Sequence, residues 1–119
     1  MVIVLPIEPK ATPRPRVAGK RAYYPKSYVD WKRRAKALLP SLNVPKSVHV
    51  TFIFPRPKRM KKGERIEHDK RPDLDNLIKS VFDLFDFDDG KITNFGAAKY
   101  YAASHEDAKI IIVWREDVV

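Results

Sequence analysis

A chain of 119 residues with 44 % apolar content has room for one hydrophobic core, so a single domain over residues 1–119 is expected. It has no cysteine, which excludes disulfides, thiolate zinc sites and cysteine nucleophiles together. Its formal charge is +9, and no apolar run approaches the roughly 18 residues of a bilayer span, so a polyanionic partner is expected and a membrane is not.

Residues 2–7 are β-branched and apolar and read as a first strand. Pro6, Pro9, Pro13 and Pro15 then break regular structure, so residues 8–26 are expected to form a long, extended, basic loop. Tyr23 and Tyr24 within it either stack on bases or anchor the loop to the body. Ser27 is a candidate N-cap for a helix that runs to Leu39 and stops at Pro40. Tyr28, Trp31, Ala35, Leu38 and Leu39 form its apolar side, with Trp31 read as core, and Lys32, Arg33, Arg34 and Lys36 make its outer side basic. Residues 42–45 are a connector.

Residues 48–54 are the clearest strand. Val48, Val50, Phe52 and Phe54 alternate to one face, with His49 and Thr51 on the other, where His49 reads as a solvated or hydrogen-bonded histidine. A basic loop, 56–71, leads into the next helix. After Asp89-Gly90, residues 91–96 are expected to begin a strand or turn, followed by a strand over 97–103, a turn at 104–107, and a last strand over 108–114. The near-continuous apolar run of that strand suggests burial on both faces, or burial against a partner subunit.

Between these strands lies the helix that organises the chain. Leu74, Leu77, Ile78, Val81, Phe82 and Phe85 make one apolar stripe, Pro72 disfavours helix before it, and Asp73 sits where an N-cap carboxylate accepts an orphan N–H. Asp75, Lys79 and Asp83 recur at i, i+4 and i+8 on a polar ridge. Residues 73–89 hold six aspartates and one lysine, a local charge of −5. Carboxylates crowded together in a basic protein point to a hard divalent cation. The competing reading makes Asp73 a cap, pairs Asp75 and Asp83 with Lys79, and leaves Asp88-Asp89-Gly90 as a turn. Spacing alone leaves both open.

The positive charge is concentrated. Residues 10–26 carry +6, from Lys10, Arg14, Arg16, Lys20, Arg21 and Lys26 without an acid. Residues 56–71 carry +5, with Lys58, Arg59, Lys61, Lys62, Lys70 and Arg71 among the cations. Charge gathered in proline- and glycine-containing loops suits a phosphate backbone, so these side chains are the candidate nucleic-acid contacts.

The string Arg71-Pro72-Asp73-Leu74-Asp75-Asn76-Leu77-Ile78-Lys79-Ser80-Val81-Phe82-Asp83, followed by Asp88-Asp89-Gly90-Lys91-Ile92, resembles the signature of the RusA family of Holliday junction resolvases. The resemblance extends to the first strand, the Pro13-Arg14-Pro15-Arg16 loop and the apolar strand before the motif. It implies an α+β fold, here a small mixed sheet of about four to five strands with two main helices, acting as a homodimer. It implies that Asp73, Asp75 and Asp89 bind divalent metal with Asp88 beside them, that Lys79 is needed for cleavage, and that the cofactor is Mg²⁺, or Mn²⁺ in its place. The connector before the Asp88-Asp89 pair is shorter than in the family and lacks its glycine, which makes Asp86 a further candidate ligand. The implied activity is metal-dependent endonucleolytic cutting of branched DNA, the Holliday junction, in the cytoplasm at the nucleoid. Two alternatives remain beside it: a non-enzymatic basic nucleic-acid-binding module, and a nuclease acting on flaps or replication forks.

Overall fold

A computed structural model describes residues 1–63, 66–85, 89–105 and 107–116, at positions 66 and 89 the backbone alone. The fold is α+β. Among the described residues seven strands, β1 (Val2–Leu5), β2 (Arg16–Ala18), β3 (Arg21–Tyr23), β4 (Ser47–Phe54), β5 (Ile66–Glu67), β6 (Asn94–Tyr101) and β7 (Lys109–Arg115), accompany two helices, α1 (Lys26–Leu38) and α2 (Leu74–Phe82). Five strands form one mixed sheet in the order β1-β7-β4-β6-β5, while β2 and β3 form a separate ribbon. Strand β4 pairs in parallel with β6 and antiparallel with β7, so α2 lies on the crossover between two parallel neighbours.

The alternation of β4 decides which face is buried. Val48, Val50 and Phe52 pair with Trp114, Ile112 and Ile110 of β7, which in turn place Ile3 and Leu5 of β1 on the same face. Tyr28, Trp31 and Ala35 of α1 and Leu77 and Val81 of α2 close over it. Both helices therefore cover one side of the sheet, and the core is a single layer between them. Trp31 is core, as expected, its indole donating to the Glu8 carbonyl at 2.8 Å. His49 lies on the open side and bonds the Asn94 side chain at 3.1 Å. Among the described residues no helix is long and apolar enough to cross a membrane.

The long loop is not irregular throughout. Residues 16–23 contain no proline, and Gly19, at φ 62°, starts the two-residue turn that joins β2 to β3. Hairpin turns of this kind need a positive φ at that position, which glycine supplies without steric cost. The expected cap at Ser27 also shifts. The Pro25 carbonyl accepts from Tyr28 and Val29 at 3.1 and 3.2 Å, so the helix begins at Lys26 and no side chain caps it. Leu38 stays 44 % exposed, outside the buried stripe.

Strand β7 is not buried on both faces. Ile110, Ile112 and Trp114 are in the core, but Ile111 is half-buried and Val113 is 37 % exposed, because both helices of the described residues lie on the other side of the sheet. The strand expected at 97–103 begins within the preceding strand-or-turn segment, at Asn94, and ends at Tyr101. Helix α2 ends at Phe82, so Phe85 follows it in a turn, packed edge-on against Trp114 at 5.2 Å.

Candidate functional site

Helix α2 has nine residues, too few to be stable alone. It is fixed by packing and by three polar ties. Leu77 and Val81 are fully buried. The Thr12 N–H donates to the Asn76 carbonyl at 3.0 Å. The Tyr28 hydroxyl donates to Asp83 Oδ2 at 2.6 Å, with Thr12 Oγ1 at 3.2 Å from the same hydroxyl. Burial, then the bond to the Asp83 carboxylate, pushes the Tyr28 hydroxyl far above its ordinary value, so it stays a donor at any working pH.

The third tie is Lys99 of β6. Its ammonium donates to the Lys70 carbonyl and, at 2.8 Å, to the Pro72 carbonyl. These two carbonyls lie just before the first turn of α2, so one cation sets the position of the chain entering Asp73. The Lys99 carbonyl accepts the His68 N–H at 3.1 Å. The His68 ring is buried between Phe54 and Tyr101, with centroids at 4.3 and 4.5 Å. Burial, then the Lys99 charge, lowers its proton affinity and keeps it neutral. Lys99→Met is expected to cost about 1–2 kcal/mol in urea unfolding, since two carbonyls lose a charged donor while one of them is open to water. Lys99→Arg is expected to recover part of the loss. A Lys99→Met protein as stable as wild type contradicts the clamp.

The aspartates divide into two kinds. Asp83 is half-buried and spent on Tyr28. Asp73 and Asp75 are exposed at the start of the helix. Asp73 occupies the N-cap position, but its carboxylate makes no capping bond; its backbone carbonyl accepts the Leu77 N–H instead. One Asp75 oxygen accepts the Asn76 N–H at 2.9 Å. Lys79 is exposed one turn further on, and among the described residues no ion pair joins it to Asp75 or Asp83. The cap-and-ion-pair reading therefore accounts for Asp83, through a tyrosine rather than Lys79; Asp75 spends one oxygen on the Asn76 N–H, and among the described residues neither Asp73 nor Asp75 is held in an ion pair.

Asp89 begins a 3-10 turn, Asp89–Lys91, and its side chain, like Asp86 and Asp88, lies outside the described residues. Among the described residues no group of three acidic or histidine side chains is placed to hold a metal ion. The donors that are described fit a hard cation nonetheless. They are exposed carboxylate oxygens with no ammonium at ion-pair distance among the described residues, and a site of one or two such groups, completed by water and substrate phosphate, suits Mg²⁺.

The candidate nucleic-acid contacts lie at the surface. Arg14, Arg16, Lys20 and Arg21 on and beside the β2–β3 ribbon are exposed, as are Lys58, Arg59, Lys61, Lys62, Lys70 and Arg71, while Lys10 is half-buried. Arg56, whose charge is part of the +5 of residues 56–71, does not belong with these surface cations. It is 6 % exposed, and its guanidinium donates to the carbonyls of Ala102, at 2.7 Å, and Lys61, so it braces the loop from inside. Tyr24 packs against Tyr28 at 5.2 Å and anchors the ribbon, while Tyr23 is half exposed.

Residues 6–113 match the family model described as Endodeoxyribonuclease RusA. Comparison with curated proteins found no match. The family match takes in both helices, the first basic ribbon, the second basic loop and all but one of the strands of the main sheet in full or nearly so. Nuclease-type activity goes with that membership: the chain belongs to the RusA family of endodeoxyribonucleases.

Proposed function

We propose that this chain, acting as one nuclease domain over residues 1–119, is a structure-selective endonuclease that resolves four-way DNA junctions with symmetric paired nicks. The observation that carries the reading is the pair of exposed carboxylates, Asp73 and Asp75, on the first turn of a helix that is otherwise tied down at both ends. Asp73, Asp75 and Asp89 would hold Mg²⁺, or Mn²⁺ in its place, with Asp88 or Asp86 in reserve. When bound, the cation supplies Lewis-acid stabilisation of phosphate charge and lowers the pKa of water for attack on the phosphodiester.

The protein's own groups do the rest. The packed helix presents the carboxylates in a fixed place, so little reorganisation is needed when charge develops. Lys79, exposed and without a carboxylate partner on α2, is free to meet negative charge on the phosphate. The basic ribbon and the basic loop neutralise phosphates of the arms without reading bases, which makes affinity salt-dependent and selectivity a matter of shape. A four-way junction has two strands to cut symmetrically, and a two-fold dimer of this chain offers two identical sites.

The test is a substrate panel: a fixed four-way junction, a flap, a fork and a linear duplex of equal length, each with Mg²⁺, alongside sedimentation of the protein. The reading predicts a dimer that nicks the four-way junction in pairs and the linear duplex at least tenfold more slowly. Preferential cutting of flaps or forks would move the substrate to other branched DNA. Tight, salt-sensitive binding with no nicks on any substrate would leave a binding module.

A further inference from the structure

A groove of about 940 Å³ runs between the segment leaving β1 and one face of α1. Its floor is apolar and rigid: Ile7, Pro9 and Trp31 are buried, and the Trp31 indole is bonded to the Glu8 carbonyl across it. Its rim carries four cations, Lys10 on one wall and Lys26, Arg33 and Arg34 on the other, against two carboxylates, Glu8 and Asp30. Asp30 is taken by Arg33 at 3.3 Å. Among the described residues Lys10, Lys26 and Arg34 have no carboxylate within ion-pair distance.

We infer that this groove binds a stretch of nucleic-acid sugar–phosphate backbone, extending the contact surface from the two ends of the first basic loop, Lys10 and Lys26, onto Arg33 and Arg34 of α1. The inference rests on the nuclease reading above. The arrangement of the cations selects the ligand class. Lys26 and Arg34 are eight residues apart on α1, about 12 Å along the helix axis. A single small anion would need donors converging on one point. Charges strung over that length instead match successive phosphates, which recur about every 3.4 Å of axis along each duplex strand. The position also fits. The wall that carries Lys10 continues to Thr12, whose N–H is bonded to Asn76, next to Asp75 on α2. A strand lying in the groove therefore runs beside the helix that bears the candidate carboxylates.

The experiment compares two double variants with wild type. Lys26→Gln/Arg34→Gln removes two charges from the groove, and Lys46→Gln/Arg115→Gln removes two exposed charges near the start of β4. Circular dichroism checks that both fold. Binding to a four-way junction is measured in EDTA from about 50 to 200 mM salt, the range over which phosphate contacts are released. The groove variant is expected to lose about tenfold or more in affinity at 0.1 M salt, and its slope of log K against log salt to flatten by about 2, with the control variant near wild type. A groove variant indistinguishable from the control overturns the inference while wild-type binding and cutting leave the nuclease reading intact. Inorganic phosphate bound by wild type and lost by the groove variant, with junction affinity kept, assigns the groove to a small anion and also overturns it. A wild-type protein that neither binds nor cuts DNA overturns the nuclease reading and the groove with it.

Discussion

Leu77→Ala is expected to destabilise the protein by about 2–5 kcal/mol, a large share of the roughly 5–15 kcal/mol that holds a domain of this size together. Leu77 is fully buried, between the first turn of α2 and the face of the sheet. Truncation removes its transfer free energy and leaves a cavity that the two helices cannot close without moving. Helix α2 has only nine residues and takes its stability from this contact, so the loss falls where Asp73 and Asp75 are positioned. Urea unfolding measures the effect, with Leu38→Ala, 44 % exposed on α1, expected within about 0.5 kcal/mol of wild type. Equal losses at the two positions would show that α2 is not packed as described.

Asp75→Asn is expected to lower Mg²⁺-supported cleavage about 100- to 1000-fold, the range seen when one preorganised electrostatic group is removed from a reacting centre. The carboxamide keeps an oxygen for the Asn76 N–H, so the turn should survive, and junction affinity should stay equal or rise slightly as a negative charge leaves a DNA-facing surface. Asp83→Asn is the internal comparison. It removes the same charge from the opposite end of the same helix, and from a group engaged with Tyr28, so its cleavage rate should stay much closer to wild type. Single-turnover rates at saturating protein separate the two. Equal losses for Asp75→Asn and Asp83→Asn would make the acidic island a general electrostatic feature rather than a site with assigned members.

The elements that were legible in the sequence are those whose pattern is local. The alternation over 48–54 gave the orientation of β4 because both helices cover the face of Val48, Val50 and Phe52, while on the other face His49 is exposed and Thr51 half-buried. The stripe through Leu77 and Val81 identified α2 for the same reason. The ribbon over 16–23 was hidden because proline density ahead of it outweighed one glycine in the right place. Arg56 reads as another cation of a basic loop. Only the fold brings it under Ala102, 46 residues away, where its guanidinium works as an internal brace. Lys99 and His68 are the same case: their roles depend on β6 lying beside the residues before α2. The division of the aspartates was half legible. The i, i+8 spacing put Asp75 and Asp83 on one ridge, but the tyrosine that occupies Asp83 comes from α1, 55 positions earlier. The apolar run of β7 suggested two covered faces, yet hydrophobicity alone does not report whether a helix crosses the second one.

The measurement closest to the central claim is cleavage of a fixed synthetic four-way junction, labelled on each strand in turn, by wild type and by Asp75→Asn, each with Mg²⁺ and with EDTA. The account predicts paired, symmetric nicks from wild type in Mg²⁺ and none, or several-hundredfold fewer, in the other three reactions, with the junction bound in all four. Wild-type nicking in EDTA, or Asp75→Asn nicking at the wild-type rate in Mg²⁺, would contradict the assignment of metal-dependent chemistry to the start of α2.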